Sequence, residues 1–254
     1  MTTALSRLNF RDVGGLPTAA GSLVRRGVLF RSEGPGSFLE DHHSELAELG
    51  IRSVADLRSV GEREAAPHRW CSAGCKVLAL DMNTDLRAQG KDQWRALRGN
   101  PTAAGASDVM AHNYKLMPHA FMPHLPVMVD TLLAGETPML VHCTAGKDRT
   151  GVVIALFLEF MQVPRAVIVA DYMKSDIFRQ NMQSSGRVKA NLRKSFGFVP
   201  PDEMVAVLTG VHPDFLTLAL EAVQAEWGGV DGYFDAAGIV PVKRRELASL
   251  LTGG

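Results

Sequence analysis

The segment 141–151 holds the residue types best able to do chemistry, because it reads VHCTAGKDRTG and its Cys143 and Arg149 enclose five residues. An apolar strand-like run at 139–141 precedes it, and an apolar helix-like run at 152–161 follows it. The pattern predicts a strand, a tight loop and a helix. Such a loop surrounds a tetrahedral oxyanion with backbone N–H groups, and the N-terminus of the helix adds partial positive charge.

The two residues that end this loop have complementary chemistry. Arg149 offers a planar pair of donors for two phosphate oxygens. The surrounding positive charge favours the thiolate of Cys143, and a thiolate that faces a phosphoryl group is a nucleophile aimed at phosphorus. A buried structural cysteine is the alternative, but it would not need the continuation Gly-Lys-Asp-Arg-Thr. We therefore predict Cys143 as the nucleophile and Arg149 as the group that clamps phosphate and stabilises the transition state.

These residues also carry a family resemblance. The segment 143–150 resembles the signature loop of the cysteine-based protein-tyrosine phosphatases, and 142–151 resembles a narrower bacterial group similar to the mycobacterial protein-tyrosine phosphatase B. Four further segments match that group in chain order: NFRDV at 9–13, LFRS at 29–32, VADLRS at 54–59 and VIVADY at 167–172. The match is poor near 82–108 and 177–200, which we interpret as variable insertions in a single phosphatase domain spanning 1–254.

The resemblance implies a fold and an activity. The expected fold is α/β and protein-tyrosine-phosphatase-like, with a mostly parallel central sheet flanked by helices. The expected enzyme is a hydrolase that acts on phosphotyrosine through a phosphocysteine intermediate and uses no metal or other cofactor. Phosphoserine, phosphothreonine and phosphoinositides are further possible substrates, so the expected partner is a phosphorylated protein or a phosphoinositide.

The whole loop is expected to contact phosphate. The predicted phosphate-binding residues are Thr144, Ala145, Gly146, Lys147, Asp148, Arg149 and Thr150. Gly146 lets the backbone turn close to the ligand without a Cβ clash. Lys147 is expected at the rim of the loop, where its charge would favour substrates with a second phosphate. Thr150 either donates a hydrogen bond to the thiolate or has only a local role at the start of the helix.

The oxygen that leaves phosphorus needs a proton donor. In the resembling family an aspartate on a separate loop supplies the proton, and here Asp81 and then Asp85 follow the strand-like run 76–80. Asp148 is the other candidate. It acts as the proton donor, orients Arg149, or is simply an acidic residue stabilised at a helix N-terminus. We rank Asp81 and Asp148 close together and Asp85 third.

Other polar residues of the motifs are expected to have supporting roles. The resemblance implies that His142 orients the loop through hydrogen bonds and does not act as a base. Asp56 is expected to hold Arg58 or a loop in place. Arg11 and Asp12 are expected to be structural residues near the site.

Composition excludes several classes of function. The chain has 254 residues, of which 46% are hydrophobic, and 27 basic residues balance 27 acidic ones. This balance argues against general nucleic-acid binding, so any attraction for anions must be local. No run has the pattern of a signal peptide or the length of a membrane span, which predicts a cytoplasmic protein without integral membrane association. Export by another route stays compatible with the sequence, and the oligomeric state is not addressed by it.

The cysteine count is low and odd, since Cys71, Cys75 and Cys143 are the only three. Such a count fits a reducing compartment better than a disulfide scaffold. Cys71 and Cys75 are either ordinary half-buried residues or half of a metal site, and no second pair at suitable spacing accompanies them. The prediction is that the chain binds no metal.

Alternating strand and helix patterns predict the α/β class independently of the resemblance. The run 23–30 is interpreted as a turn and a short strand, 51–57, 76–80 and 139–141 are strand-like, and 37–49, 117–133 and 152–161 are helix-like. Three prolines confine the unbroken helix of 117–133 to its second half. The polar stretch 85–108 is either a mobile cover or a surface insertion. The stretch 175–195 is either a helix over the site or a solvated face.

Two other functions have to be weighed against the phosphatase. A sulfurtransferase of the rhodanese type also uses a loop cysteine on an α/β scaffold, but the Arg149-Thr150 end of the loop argues against it. A non-catalytic phosphate-binding module is the third reading, and the intact pair of Cys143 and Arg149 argues against that.

Overall fold

The computed structural model describes residue 5 and residues 8–34, 40–67, 74–83, 91–184, 193 and 197–253. Within them the strands are β1 Arg11–Asp12, β2 Leu23–Val24, β3 Leu29–Ser32, β4 Ser53–Asp56, β5 Lys76–Ala79, β6 Met139–His142 and β7 Thr252–Gly253. The helices are α1 Glu40–Glu48, α2 Val60–Ala65, α3 Lys91–Gly99, α4 Ala103–Phe121, α5 Leu125–Leu133, α6 Asp148–Phe160, α7 Arg165–Met173, α8 Ile177–Ser184, α9 Asp202–Thr209, α10 Pro213–Trp227, α11 Val230–Ala236 and α12 Pro241–Leu251.

Five strands of the described residues form the central sheet, in the order β1-β3-β6-β4-β5. The neighbours β3, β6, β4 and β5 run parallel, and only the edge strand β1 is antiparallel. A small antiparallel pair, β2 and β7, lies apart from this sheet. The predicted α/β class with a mostly parallel sheet is confirmed. Because these strands are parallel, the loops after β4, β5 and β6 all lie at the carboxyl ends of the strands, on one side of the sheet.

Helices cover both faces of the sheet, and side chains alternate between the two. Val54 and Leu140 point into a small core that also contains Leu46 of α1. Their neighbours Ala55 and Val141 point into the larger core. All four residues of β6 are buried, as expected for a central parallel strand that is covered on both faces. This rigid strand carries Cys143 at its carboxyl end.

The helix α4 begins much earlier than the sequence pattern predicted. Its first turn is capped by Thr102, whose hydroxyl accepts a hydrogen bond from the Gly105 N–H at 3.1 Å. Buried apolar side chains at helical spacing, including Met110 and Tyr114, hold α4 in the core. Residues 103–108 therefore belong to a core helix and not to a surface cover. Within the predicted run 117–133, the unbroken helix is confined to the second half, α5 Leu125–Leu133, as the prolines predicted. Only Pro118 is tolerated inside α4, in its last turn.

Two other predicted features are only partly covered by the structure. Residues 91–99 form α3 inside the polar stretch 85–108, while 85–90 lie outside the described residues. In the stretch 175–195, α8 ends at Ser184, and of the remainder only residue 193 is described. Within the described ranges, no single helix has both the length and the apolar character to cross a membrane, and α9 with α10 meet that condition only as a pair bent by 49°.

Candidate active site

The loop from Cys143 to Arg149 joins the end of β6 to the first turn of α6, as the sequence predicted. Cys143 and Arg149 are both buried, with exposed fractions of 2% and 6%. Gly146 has a φ of +64°, and a Cβ at this position would lie 2.3 Å from the carbonyl oxygen of Ser32. The loop therefore needs glycine here both for its backbone angle and for the close approach of β3.

Glu62 holds the guanidinium of Arg149. Its Oε2 accepts from Arg149 Nη1 at 2.7 Å, and its Oε1 accepts from Nη2 at 2.8 Å. Nη1 also donates to the carbonyl of Leu57 at 3.2 Å, and the hydroxyl of Thr144 donates to Glu62. Burial would raise the pKa of Glu62, but the hydrogen bonds and charge of Arg149 outweigh burial and hold that pKa below its ordinary value. A bidentate pair of this kind fixes the plane of the guanidinium.

The sequence analysis did not single out Glu62, although a local signal marks its position. Ser59 and Glu62 form a capping box at the start of α2, in which Ser59 N donates to Glu62 Oε2 at 2.9 Å. Arg58 also anchors this helix, because it donates to Asp56 through Nε at 2.9 Å and Nη2 at 2.7 Å and to the carbonyl of Ala66 at the end of α2 at 2.7 Å. Asp56 thus holds Arg58, as expected. The capping box marks the start of a helix, but it does not indicate that the same carboxylate also bonds Arg149, which lies far away in the sequence.

Lys147 lies elsewhere than expected. Its side chain is buried, with 3% exposed, and Nζ donates to Asp148 Oδ1 at 2.8 Å and to the carbonyl of Gly210 at 3.0 Å. The expectation of a charge presented at the loop rim is therefore wrong for this structure. The physical reason is that the neighbouring carboxylate and a carbonyl before α10 bind the ammonium group on the side facing the protein.

Asp148 serves as a hydrogen-bond acceptor. Besides Lys147, the hydroxyl of Tyr114 donates to its Oδ1 at 2.6 Å. Tyr114 also bonds the hydroxyl of Tyr172 at 2.7 Å, and burial, followed by the charge of Asp148, raises the pKa of Tyr114 well above its ordinary value. Asp148 thereby ties the loop to α4 and α7. This anchoring role was not among the three alternatives of the sequence analysis, and it argues against the proton-donor role of Asp148.

Two further residues of the motif, one before and one after the loop, are buried. His142 is fully buried, and its Nδ1 lies 3.0 Å from the carbonyl oxygen of Cys143. Since a carbonyl only accepts, Nδ1 carries the proton in this contact, and the hydrogen bond supports the orienting role that the resemblance implied. The hydroxyl of Thr150 is buried and makes no hydrogen bond within the described residues. A buried polar atom without a partner costs stability unless a ligand or a reacting atom bonds it.

Asp81 follows the carboxyl end of β5, on the side of the sheet where the loop after β6 also lies. It lines an open pocket of about 530 Å³ together with Ser59 and Glu62, whose carboxylate contacts Arg149 and Thr144. Its Oδ1 is buried and has no hydrogen-bond partner in the described part of the chain. The structure therefore brings Asp81 to the neighbourhood of the loop. Asp85, the third candidate, lies outside the described residues.

The remaining motif residues form a charged network behind the loop. Asp171 accepts from Arg11 Nε at 2.8 Å and from Arg31 Nη1 at 3.0 Å, and Arg31 Nη2 donates to the carbonyl of Gly146 at 2.9 Å. Burial would raise the pKa of Asp171, but the two arginines outweigh it and lower that pKa to about 2. Burial, and next the charge of Arg11, lower the pKa of Arg31 to about 10. The loop thus rests on a buried carboxylate shared by two guanidinium groups.

Metal ligation finds no support in the residues that the structure describes. They contain no group of three or more His, Cys, Asp or Glu side chains placed to hold an ion. Cys71 lies outside them, and Cys75 is half-buried and forms no disulfide bond within them. The absence of a metal therefore stays a prediction.

The network around Asp171 predicts an acid-sensitive fold. The folded-state pKa of about 2 lies below the ordinary 3.8, so the ionised carboxylate stabilises the fold above about pH 4. This stabilisation, roughly 2 kcal/mol, is lost as the pH falls from about 4 to about 2. In Asp171→Asn, urea unfolding should show lower stability at pH 7 and a weaker pH dependence in this window. Asp108→Asn, which changes an exposed carboxylate on α4, is the control. If the free energy of unfolding of Asp171→Asn fell between pH 4 and pH 2 as steeply as that of the wild type, Asp171 would not be the source of the acid sensitivity.

Comparison with known proteins agrees with this geometry. A model of the tyrosine phosphatase family matches residues 4–253. The chain is 30% identical to the triple specificity protein phosphatase PtpB of Mycobacterium tuberculosis over 96% of both chains. It is 33% identical to a putative tyrosine-protein phosphatase of Cupriavidus necator, over 89% of this chain and 79% of that protein. It is 23% identical to a tyrosine-protein phosphatase of Nostoc commune, over 91% of this chain and 76% of that one. The family and enzyme class predicted from the sequence are confirmed: the chain is a hydrolase that belongs to the tyrosine phosphatase family.

Proposed function

We propose that this chain hydrolyses phosphate monoesters, with phosphotyrosine as the leading substrate, through a phosphocysteine intermediate on Cys143. The observation that carries the proposal is the pairing of a buried cysteine and a carboxylate-held arginine at the two ends of one tight loop. Membership of the tyrosine phosphatase family removes the case for a sulfurtransferase or for a non-catalytic phosphate-binding module.

In the first step the Cys143 thiolate attacks phosphorus, the S–P bond forms, and the ester P–O bond breaks. A protonated Asp81 gives its proton to the leaving oxygen, which departs as an alcohol or phenol. Negative charge on the equatorial oxygens is stabilised by the loop N–H groups and by Arg149, whose orientation Glu62 fixes.

In the second step a water molecule attacks phosphorus and the S–P bond breaks, which releases inorganic phosphate. Asp81 accepts the proton of that water and returns to its starting state. The Thr150 hydroxyl, buried and unpaired in the described residues, is the donor that we assign to the departing thiolate. Asp148 keeps its acceptor role towards Lys147 and Tyr114 throughout.

The substrate range is the less constrained part of the proposal. The printed name of the Mycobacterium tuberculosis relative, a triple specificity phosphatase, supports more than one class of substrate. Phosphoserine, phosphothreonine and phosphoinositides are therefore included as possible substrates beside phosphotyrosine. The buried ammonium of Lys147 supplies no argument for a second phosphate, because Asp148 and Gly210 already bind it.

Cys143→Ser should abolish hydrolysis of a phosphotyrosine peptide, while EDTA should leave the wild-type rate unchanged. The reason is that the nucleophile is a thiolate and the loop needs no metal to bind phosphate. Acid quench during turnover should trap phosphate on the peptide that contains Cys143, as seen by mass spectrometry. Cys75→Ser, at a half-buried cysteine outside the loop, is the matched control and should retain activity. Activity retained in the Cys143 variant would refute the mechanism.

Glu62→Gln should lower kcat/KM by roughly 10²-fold, the scale of losing one fixed transition-state donor. An amide in place of the carboxylate sets an N–H group against one of the Arg149 donors, so the guanidinium is no longer held in plane. Glu64→Gln is the control, because Glu64 is an exposed residue of the same short helix. Equal steady-state kinetics for the two variants would show that Glu62 does not position Arg149.

Asp81→Asn should slow hydrolysis most for esters with poor leaving groups. Phosphotyrosine peptide turnover should fall strongly, whereas p-nitrophenyl phosphate, whose leaving group departs without much protonation, should be affected less. The alkaline limb of the pH–rate profile should also flatten. The same measurements on Asp148→Asn and Asp85→Asn compare the other two candidate proton donors with Asp81. The assignment of Asp81 fails if its variant keeps the wild-type dependence on the leaving group.

A further inference from the structure

The carbonyl groups of the catalytic loop are bonded from outside the loop. Three successive oxygens accept such bonds: Thr144 O from Gly34 N (2.9 Å), Ala145 O from Asn9 Nδ2 (3.3 Å), and Gly146 O from Asn9 Nδ2 (3.1 Å) and Arg31 Nη2 (2.9 Å). The donors come from the segment before β1 and from β3 with the residues after it, far from the loop in sequence. Two of the three carbonyls thus accept from the same side-chain amide, that of Asn9.

The direction of these carbonyls determines the direction of the N–H groups. In a planar trans peptide, the C=O of one residue and the N–H of the next point to opposite sides. Carbonyls that face outward at Ala145 and Gly146 therefore turn the N–H groups of Gly146 and Lys147 towards the inside of the loop. Successive N–H groups that converge in this way form a concave anion site.

Burial, backbone conformation and a hydrogen bond with Arg11 fix the position of the Asn9 side chain. It is 2% exposed and has a φ of +54°, a backbone conformation that asparagine accepts more readily than most residues. Its Oδ1 accepts from Arg11 Nη1 at 2.7 Å. Because a guanidinium can only donate, this contact orients the amide with oxygen towards Arg11 and Nδ2 towards the loop.

Arg31 supports the same carbonyl from a buried position. Its exposed fraction is 1%, and besides Gly146 it bonds Asp171 at 3.0 Å and the hydroxyl of Ser175 at 3.1 Å. If the Gly146 carbonyl turned inward, Arg31 Nη2 and Asn9 Nδ2 would each lose one of their two acceptors. Leaving buried donors unsatisfied is costly, so the two side chains oppose that rotation.

We propose that Asn9 is a positioning residue for the phosphatase reaction, supported by Arg31: its amide holds the Ala145 and Gly146 carbonyls outward and so presents the following N–H groups to the phosphate. The inference rests on the proposed function for its catalytic consequence. The anion-binding consequence stands independently of it, because N–H groups that converge bind inorganic phosphate whether or not turnover follows.

Asn9→Asp tests this directly. The substitution keeps the size, the tolerance of positive φ and the oxygen facing Arg11, but it replaces the donor to the two carbonyls by a second acceptor. We expect the dissociation constant for inorganic phosphate, measured by titration calorimetry, to rise roughly tenfold or more. On a phosphotyrosine peptide, kcat/KM should fall by roughly 10²-fold.

Asn113→Asp is the matched control. Asn113 is also 2% exposed, and its Oδ1 accepts from Gln93 Nε2 at 2.6 Å, a contact that aspartate preserves. It should lose thermal stability without a change in phosphate affinity. Should Asn9→Asp fail to fold, Asn9→Gly decides, because glycine fits the same φ and also lacks the amide donor.

The outcomes separate the two proposals. Weaker phosphate binding in a folded Asn9 variant supports the positioning role, and phosphate affinity equal to that of the wild type overturns it. If the wild-type chain binds phosphate but does not hydrolyse phosphotyrosine, the proposed function fails while the phosphate titrations still decide the role of Asn9.

Discussion

In the tight turn between Cys143 and Arg149, the carbonyl oxygens of Thr144, Ala145 and Gly146 accept their hydrogen bonds from residues that are distant in the chain. They need donors from elsewhere, and the directions in which they are held decide where the N–H groups point. Most of the polar motifs that lie elsewhere in the sequence supply these donors or hold them in place. Asn9, Arg31 and the backbone of Gly34 bond the carbonyls, while Asp171 holds the arginines in place.

Charge is arranged in pairs throughout the site. Arg149 faces Glu62, Lys147 faces Asp148, and Asp171 lies between two arginines. On the proposed function, this chain with a formal charge of +0 binds phosphate through fixed donors and not through a large excess of cations. Each carboxylate also fixes the geometry of its partner, which matters more for a transition state than charge alone. The same pairing explains why the ammonium of Lys147 faces the protein.

Long-range contacts join the loop to the helices around it. Asp148 is linked through Tyr114 to α4 and through Tyr172 to α7. Tyr172 also packs against the start of α6, where a Cβ on Gly151 would lie 2.8 Å from its ring. The core helix α4 therefore takes part in the site, although its first half looked like a polar insertion in the sequence. Its apolar positions were too widely spaced among small and polar residues to be recognised.

The sequence by itself determined the fold class, the strand–loop–helix unit and the pairing of Cys143 with Arg149, because these depend on local spacing within a few turns of chain. It also marked 9–13, 29–32 and 167–172 as important without showing why. Only the tertiary structure brought Glu62 to Arg149, buried Lys147 and placed Asn9 behind the loop. These contacts join residues far apart in the chain, and no local periodicity records which distant donor meets which acceptor when parallel strands bring their ends together.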